Sequence, residues 1–291
     1  MKKVRKAVIP AAGLGTRVLP ASKAMPKEMI PIVDKPAIQY IVEEAAAAGI
    51  EEVLIITSRG KSVMEDHFDR SPLLEERLLA SGKVKVYEQM VDVAHLANIT
   101  YVRQQEQKGL GHAVLHAKNF VGDEPFAVMY GDDVIISDYP VCRQLIDAYE
   151  KYGLSCVGIK EVPKEDVKKY CSMKLTHQEG NLYHITDMVE KPQRDEDIFS
   201  LFSILGRCVL TPDIFTILEN TPPGAGGEIQ LTDAMKQMAI EKGMTGVDFD
   251  GTRYDMGNKL GILKANIEVG LKHEETGEGL REYIKELAKT L

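Results

Sequence analysis

Between Pro10 and Glu28, directly after the short apolar run Ala7-Val8-Ile9, the chain gathers two glycines (Gly13, Gly15), two cations (Arg17, Lys27) and a carboxylate (Glu28) in one loop. The glycines carry no Cβ, so backbone N–H groups there can turn toward an anion and approach phosphate oxygens closely. Arg17 adds a planar fork and Lys27 a point charge, the two ways in which side chains neutralise phosphate. A plain turn would explain the glycines but gives no reason for so dense a polar cluster. Val18 stands where a dinucleotide fingerprint needs a third small residue, which weakens that alternative, and no Gly-Lys-Ser or Gly-Lys-Thr run supports a Walker A loop.

Three further groups could act with this loop. Asp132 and Asp133 follow an apolar strand and Gly131, a placement that projects a carboxylate toward a phosphate-bound hard cation; Mg²⁺ fits, since it commonly uses one or two protein carboxylates together with substrate phosphates. Asp255 is a remote second ligand for the same ion. In Glu190-Lys191-Pro192 the proline ends a strand where Lys191 leaves the sheet, so Lys191 can neutralise a second phosphate while Glu190 accepts hydrogen bonds from vicinal hydroxyls, a pairing suited to a sugar phosphate. Gly109-Leu110-Gly111-His112 opens a helix after a loop containing Gln104, whose amide has both donor and acceptor for a pyrimidine edge. His112 itself suits packing or the helix start better than catalysis. No Ser-His-Asp or Cys-His pattern is visible, so no covalent intermediate is expected.

The elements that must position these groups alternate through the first half. Strands are expected over 6–9, 52–57, 99–102 and 126–129, with helices over 37–48 and 112–118. That order predicts an α/β, Rossmann-like, mostly parallel mixed sheet flanked by helices, with the loops 10–28, 103–111 and 131–133 together at the carboxyl ends of the strands. Alternation over 155–162 and 182–189 predicts antiparallel additions, with a turn at Glu179-Gly180-Asn181. Helices follow over 212–219, 232–242, 259–273 and 279–289, and 72–79 reads as a solvated surface helix. We expect a single domain over 1–291, with a nucleotide half (1–150), a sugar-phosphate half (151–257) and C-terminal helices (258–291).

At 291 residues, 44% hydrophobic and 27% charged, the chain is ordinary for a globular protein with a large core. A net charge of −8 with no extended basic tract leaves little support for a nucleic-acid or anionic-membrane surface, and no stretch approaches a membrane span. The four cysteines (Cys142, Cys156, Cys171, Cys208) show no metal or redox spacing and read as free core thiols in a reducing compartment, so a cytoplasmic location is expected.

Taken in order, Ala12-Gly13-Leu14-Gly15-Thr16-Arg17 with Pro26-Lys27-Glu28, the run Lys108 to Val114, Glu190-Lys191-Pro192, the segment Pro222 to Asp233 and the run Asp255 to Gly261 closely resemble the bacterial UTP–glucose-1-phosphate uridylyltransferases, within the sugar-1-phosphate nucleotidyltransferase family. The resemblance spans nearly the whole chain. It implies uridine contacts at Ala11, Ala12, Gly13, Glu28, Gln104 and Gly109, and triphosphate contacts at Arg17 and Lys27. It further implies Mg²⁺ on Asp132 and Asp255, with Asp133 able to exchange roles with Asp132, and sugar-phosphate contacts at Glu190 and Lys191, with Glu228 near the sugar side. The reaction implied is in-line attack by glucose 1-phosphate on the α-phosphorus of UTP, giving UDP-glucose and pyrophosphate, in a homo-oligomer (dimer or tetramer) joined by the C-terminal helices. The same chemistry on another nucleotide or sugar, such as thymidylyl transfer, and a catalytically weak UDP-glucose sensor are the alternatives. The chain departs from the family at Cys171, where a glycine offering its amide near the sugar is usual, and over 200–208; both fall on the sugar side, and a Cβ at Cys171 is expected to narrow the pocket.

Overall fold

The computed structural model describes residues 2–290, in which thirteen strands alternate with helices: β1 (Lys6–Pro10), β2 (Pro31–Ile32), β3 (Lys35–Pro36), β4 (Glu52–Thr57), β5 (Asn98–Arg103), β6 (Phe126–Met129), β7 (Asp133–Ile136), β8 (Cys156–Glu161), β9 (Cys171–Glu179), β10 (Leu182–Glu190), β11 (Phe202–Leu210), β12 (Met244–Asp248) and β13 (Thr252–Asp255). Nine of them form one sheet in the order β5-β4-β1-β6-β11-β8-β12-β10-β9, while β13-β7 and β2-β3 make two small antiparallel ladders. β5, β4, β1 and β6 are parallel, as their alternation with helices requires. On the other side β11 runs antiparallel to β6 and β8, and β10 antiparallel to β12 and β9.

Side chains alternate across this sheet, which is why it carries two apolar layers. Ala7, Ile9, Val53 and Ile55 pack with the helices Ala37–Ala47 and Val141–Tyr152 on one face; Val8, Leu54 and Val128 pack with Asp213–Asn220 and Leu231–Lys242 on the other. Strand order reverses between β1 and β6: β4 and β5 extend one way from β1, while β6 lies on its opposite edge. A crevice opens at such a point outside the carboxyl ends of the strands, and the loops after β1 and β6 border it. No helix among the described residues is long and apolar enough to cross a membrane.

Two charged groups are buried behind that crevice. Arg207 of β11, 1% exposed, bonds Glu44 through Nη2–Oε2 at 2.5 Å and donates through Nη1 to the carbonyls of Asp133 and Gly206 at 2.9 Å. It thereby ties the helix Ala37–Ala47 to the start of β7, where the acidic pair lies. We expect Arg207→Met to cost about 3–5 kcal/mol, because the Glu44 charge would remain buried and unpaired; urea denaturation reads this, and a loss below about 1 kcal/mol would show the pair to be dispensable.

Candidate functional site

Two cavities lie side by side along the strand ends. The first, of about 510 Å³, is lined among others by Ala12, Gly13, Lys27, Glu28, Gln104 and Gly109, and the second, of about 470 Å³, by Arg17, Cys171, Glu190, Lys191, Arg253 and Asp255. Leu110, Tyr130 and Asp132 line both. The loops expected to converge do so, and Asp132 stands at the seam between the halves.

Around that seam, Lys27 Nζ is ion-paired with Asp132 Oδ2. Arg17 spans the two carboxylates, with Nη2 3.6 Å from Asp132 Oδ2 and Nη1 3.7 Å from Asp255 Oδ2. Burial works against both charges of the Lys27–Asp132 pair, but each outweighs it for the other: the ammonium is held above its ordinary pKa and the carboxyl below. Asp255 arrives through the β13–β7 ladder, which sets it opposite Asp133, and the Met256 N–H donates to the Asp132 carbonyl at 2.8 Å.

Asp133, which the sequence left interchangeable with Asp132, occupies a different environment. It is 4% exposed, and its Oδ1 accepts from Arg253 Nη2 at 2.5 Å. Burial pushes its carboxyl up to about 6 against the pull of Arg253, whose guanidinium lies over the Tyr170 ring, 5.4 Å from its centroid. A Cβ on Gly206 would come within 2.7 Å of Asp133 Oδ2, and φ at Gly206 is +68°, so the carboxylate rests directly on a left-handed glycine.

Gly257 closes the cluster from the other side. A Cβ there would meet Arg17 Nη2 at 2.5 Å, Asp132 Oδ2 at 2.6 Å and Asp255 Oδ1 at 2.9 Å. These are ends of side chains that can shift, so Gly257→Ala should fold while displacing the three groups together. We expect activity to fall about a hundredfold, the scale for misplacing site groups by an ångström, with a melting temperature near that of the wild type. Thermal melts and initial rates check this, and an unaltered rate would mean the three groups need no common position.

In the nucleotide-side cavity, Glu28 is 1% exposed and its Oε2 accepts from Lys61 Nζ at 2.9 Å, while Lys61 also donates to the Ala11 carbonyl at 2.5 Å. Burial raises the Glu28 carboxyl and lowers the Lys61 ammonium, each against the other's pull. Glu28 Oε1 is buried with no protein partner. Lys61 was not foreseen; nothing in Arg59-Gly60-Lys61-Ser62 marks a lysine that must turn inward. Gln107, equally unforeseen, donates to the Ala12 carbonyl at 2.8 Å. Gly15 adopts φ +67° at the start of the turn that carries Arg17.

Glu228 lines the first cavity, with Gln104 and Gly109, while Glu190 and Lys191 line the second. Backbone bonds Ile229 N to Lys108 O and Gly111 N to Ile229 O, both 2.8 Å, draw the Glu228 segment against the Gly109 loop. A Cβ on Gly109, where φ is +103°, would strike the Glu228 Cβ and the Ile229 carbonyl at 2.7 Å.

On the sugar side, Lys191 takes the left-handed conformation at φ +46°, uncommon for a residue with a Cβ, and its N–H donates to the Tyr170 carbonyl at 2.7 Å. Its Nζ lies 3.5 Å from Glu190 Oε1, and burial raises the Glu190 carboxyl although Thr232 and Lys191 oppose it. Cys171 pairs with Glu190 across β9 and β10, and its Sγ accepts from the Ile204 N–H at 3.3 Å, so the thiol is taken up against β11. Burial pushes that thiol up to about 12. All four cysteines are free and buried.

The fold and site are those of a three-layer α/β protein with glycine-rich loops, paired acids and two adjoining cavities at one switch point. The nucleotidyl transferase family model matches residues 6–270, and the chain belongs to that family. A UTP–glucose-1-phosphate uridylyltransferase of Bacillus subtilis (strain 168), YngB, is 52% identical over 288 residues, covering 99% of this chain and 97% of that one. A protein of the same name from Staphylococcus epidermidis is 52% identical over 287 residues, 99% of each chain. Among solved structures, a UDP-glucose pyrophosphorylase complexed with UDP-glucose superposes with a TM-score of 0.85 at 43% identity, covering 93% of this chain and 100% of that one. The UTP-bound UGPase of Acinetobacter baumannii gives 0.90 at 36% identity, with 98% and 99% covered.

Proposed function

We propose that this chain transfers the uridylyl group of UTP to α-D-glucose 1-phosphate, giving UDP-glucose and pyrophosphate. The observation that carries the proposal is the shared wall: a nucleotide-type cavity and a Glu190–Lys191 cavity meet at Asp132, Tyr130 and Leu110, in a chain whose relatives are named for this reaction.

In this reaction a phosphate oxygen of the sugar phosphate forms a bond to the α-phosphorus as the bond from that phosphorus to the β-bridging oxygen breaks, and pyrophosphate leaves with the electron pair. A phosphate monoester dianion is already a competent nucleophile, so the protein's part is positioning and charge neutralisation. Ala11, Ala12, Gly13, Gly15 and Gln104 hold the nucleotide; Arg17 and Lys27 serve the triphosphate; Lys191 serves the sugar phosphate while Glu190 takes sugar hydroxyls. The neutral, buried Cys171 thiol is in no state to attack.

Asp132 and Asp255 are the residues that would hold Mg²⁺. Their fit follows from the donor set: two carboxylates converge on one guanidinium, and with Arg17 and Lys27 the cluster carries no net charge, too little to receive two polyanions. Among the described residues no third acid, His or Cys joins them, which suits a cation that completes its shell with phosphate oxygens. When bound, Mg²⁺ neutralises charge on the triphosphate.

The free thiols suit a reducing, cytoplasmic setting. A homo-oligomer formed through the C-terminal helices belongs to the same proposal, and light scattering that finds only single chains would refute it.

Pyrophosphate release by the purified protein, with four NTPs crossed against several sugar 1-phosphates, tests the function. UTP with glucose 1-phosphate should exceed every other pair; faster turnover of dTTP or of another sugar would redirect the specificity, and binding without turnover would make the chain a sensor.

A further inference from the structure

Against Gln104, which lines the first cavity, lies one imidazole that the mechanism above leaves unused, that of His112. The geometry points to His112 as the side chain that, together with the Gly109 carbonyl, holds the Gln104 amide in the one orientation able to accept from a base N–H, and so supports a preference for uracil over cytosine; this rests on the uridylyl-transfer proposal.

The orientation follows from what each partner can do. Gln104 Nε2 lies 3.2 Å from the Gly109 carbonyl, which can only accept, so that end of the amide must be the NH₂ group. The same Nε2 lies 2.9 Å from His112 Nδ1, so its second hydrogen needs a lone pair there, and the neutral ring must carry its proton on Nε2. Both amide donors are then committed, and Oε1 is the end left for a ligand in the cavity that Gln104 lines. Uracil carries hydrogen on N3 and can donate to Oε1. Cytosine has a lone pair at N3, and two acceptors would face each other. Thymine shares the uracil N3–H, so His112 does not separate UTP from dTTP.

Protonation of His112 reverses this arrangement, because an N–H on Nδ1 would confront the amide N–H. The titratable groups around the ring are His116 on the same helix, its ring edge-on with centroids 4.7 Å apart, and Lys108 and Glu106 on the preceding loop. Burial, then His116 and Lys108, hold the imidazole below its ordinary pKa, which favours the neutral ring that the contact to Gln104 requires. The preference for UTP is therefore full above the His112 pKa and falls as pH drops through it.

The test is kcat/KM for UTP and for CTP, with glucose 1-phosphate, from acid to mildly alkaline pH in wild type, His112→Ala and His112→Asn. His112→Ala should lower the UTP-to-CTP ratio about tenfold, the scale of one lost hydrogen bond with an unsatisfied partner. The change should lie in the KM for UTP, with kcat and the KM for glucose 1-phosphate retained. Asparagine can place an acceptor near the Nδ1 position but takes no proton, so His112→Asn should keep the ratio and lose its acid dependence. A wild-type ratio in His112→Ala, or a wild-type acid limb in His112→Asn, overturns the assignment; should the alanine variant not fold, the asparagine variant decides. If the wild type binds UTP without turning it over, the function proposal fails while the same ratios, read as dissociation constants, still decide the role of His112.

Discussion

Asp132→Asn is expected to lower kcat about a thousandfold, the upper scale for losing one preorganised electrostatic group, with the fold retained. Asp132 is the one carboxylate lining both cavities, the ion-pair partner of Lys27 and one of the two carboxylates that Arg17 spans. Its backbone carbonyl, which accepts from the Met256 N–H and so anchors the loop after β13, is untouched by the exchange. The loss should therefore appear in single-turnover pyrophosphate release and exceed anything that the weakened Lys27 pairing costs in thermal melts. A rate within tenfold of the wild type would remove Asp132 from the centre of the site. Asp133→Ala should behave in the opposite sense: it removes the buried partner of the partly buried Arg253 and should be read first as lost stability in urea.

Lys191→Ala should lower turnover about a hundred- to a thousandfold. In the proposed reaction the charge Lys191 would neutralise is that of the attacking sugar phosphate, and Lys191 lines only the second of the two cavities. Its left-handed backbone, held by the bond to the Tyr170 carbonyl, is a strain that a mere surface ion pair would give no reason to keep. The KM for UTP should change little. Steady-state kinetics with each substrate varied will show this, and an unchanged rate would strip Lys191 of its role.

The nucleotide half was legible in the sequence because its signals are local. Buried runs such as Glu52–Thr57 and Phe126–Met129 end in loops whose glycines and charges lie close together in the chain, and the parallel order put those loops at one edge. The sugar half was less so. β11 lies at the centre of the sheet, and Ser203 through Leu210 are buried without interruption, so Phe202–Leu210 shows no period-2 alternation to announce a strand. β7, β12 and β13 are too short to show a period, and only the ladder between β13 and β7 reveals that Asp255 meets the acidic pair. Helix limits shifted by a few residues, as at 112–118, which divides into Leu110–Leu115 and Lys118–Val121.

The inward charges were the hardest to read. Lys61, Arg207 and Arg253 look like surface residues in any local window, and their burial depends on carboxylates 33, 163 and 120 positions away. The same non-locality separates Asp132 from Asp133: both follow one strand, but Asp132 lines both cavities while Asp133, paired with Arg253, lines only the second.

The central claim is that two substrates react directly across the wall at Asp132, with no protein group between them. It is tested most directly by the stereochemical course at the α-phosphorus, using UTP made chiral there by a single sulfur substitution and assigning the configuration of the UDP-glucose formed. One in-line displacement predicts inversion; retention would require a covalent nucleotidyl intermediate and contradict the account.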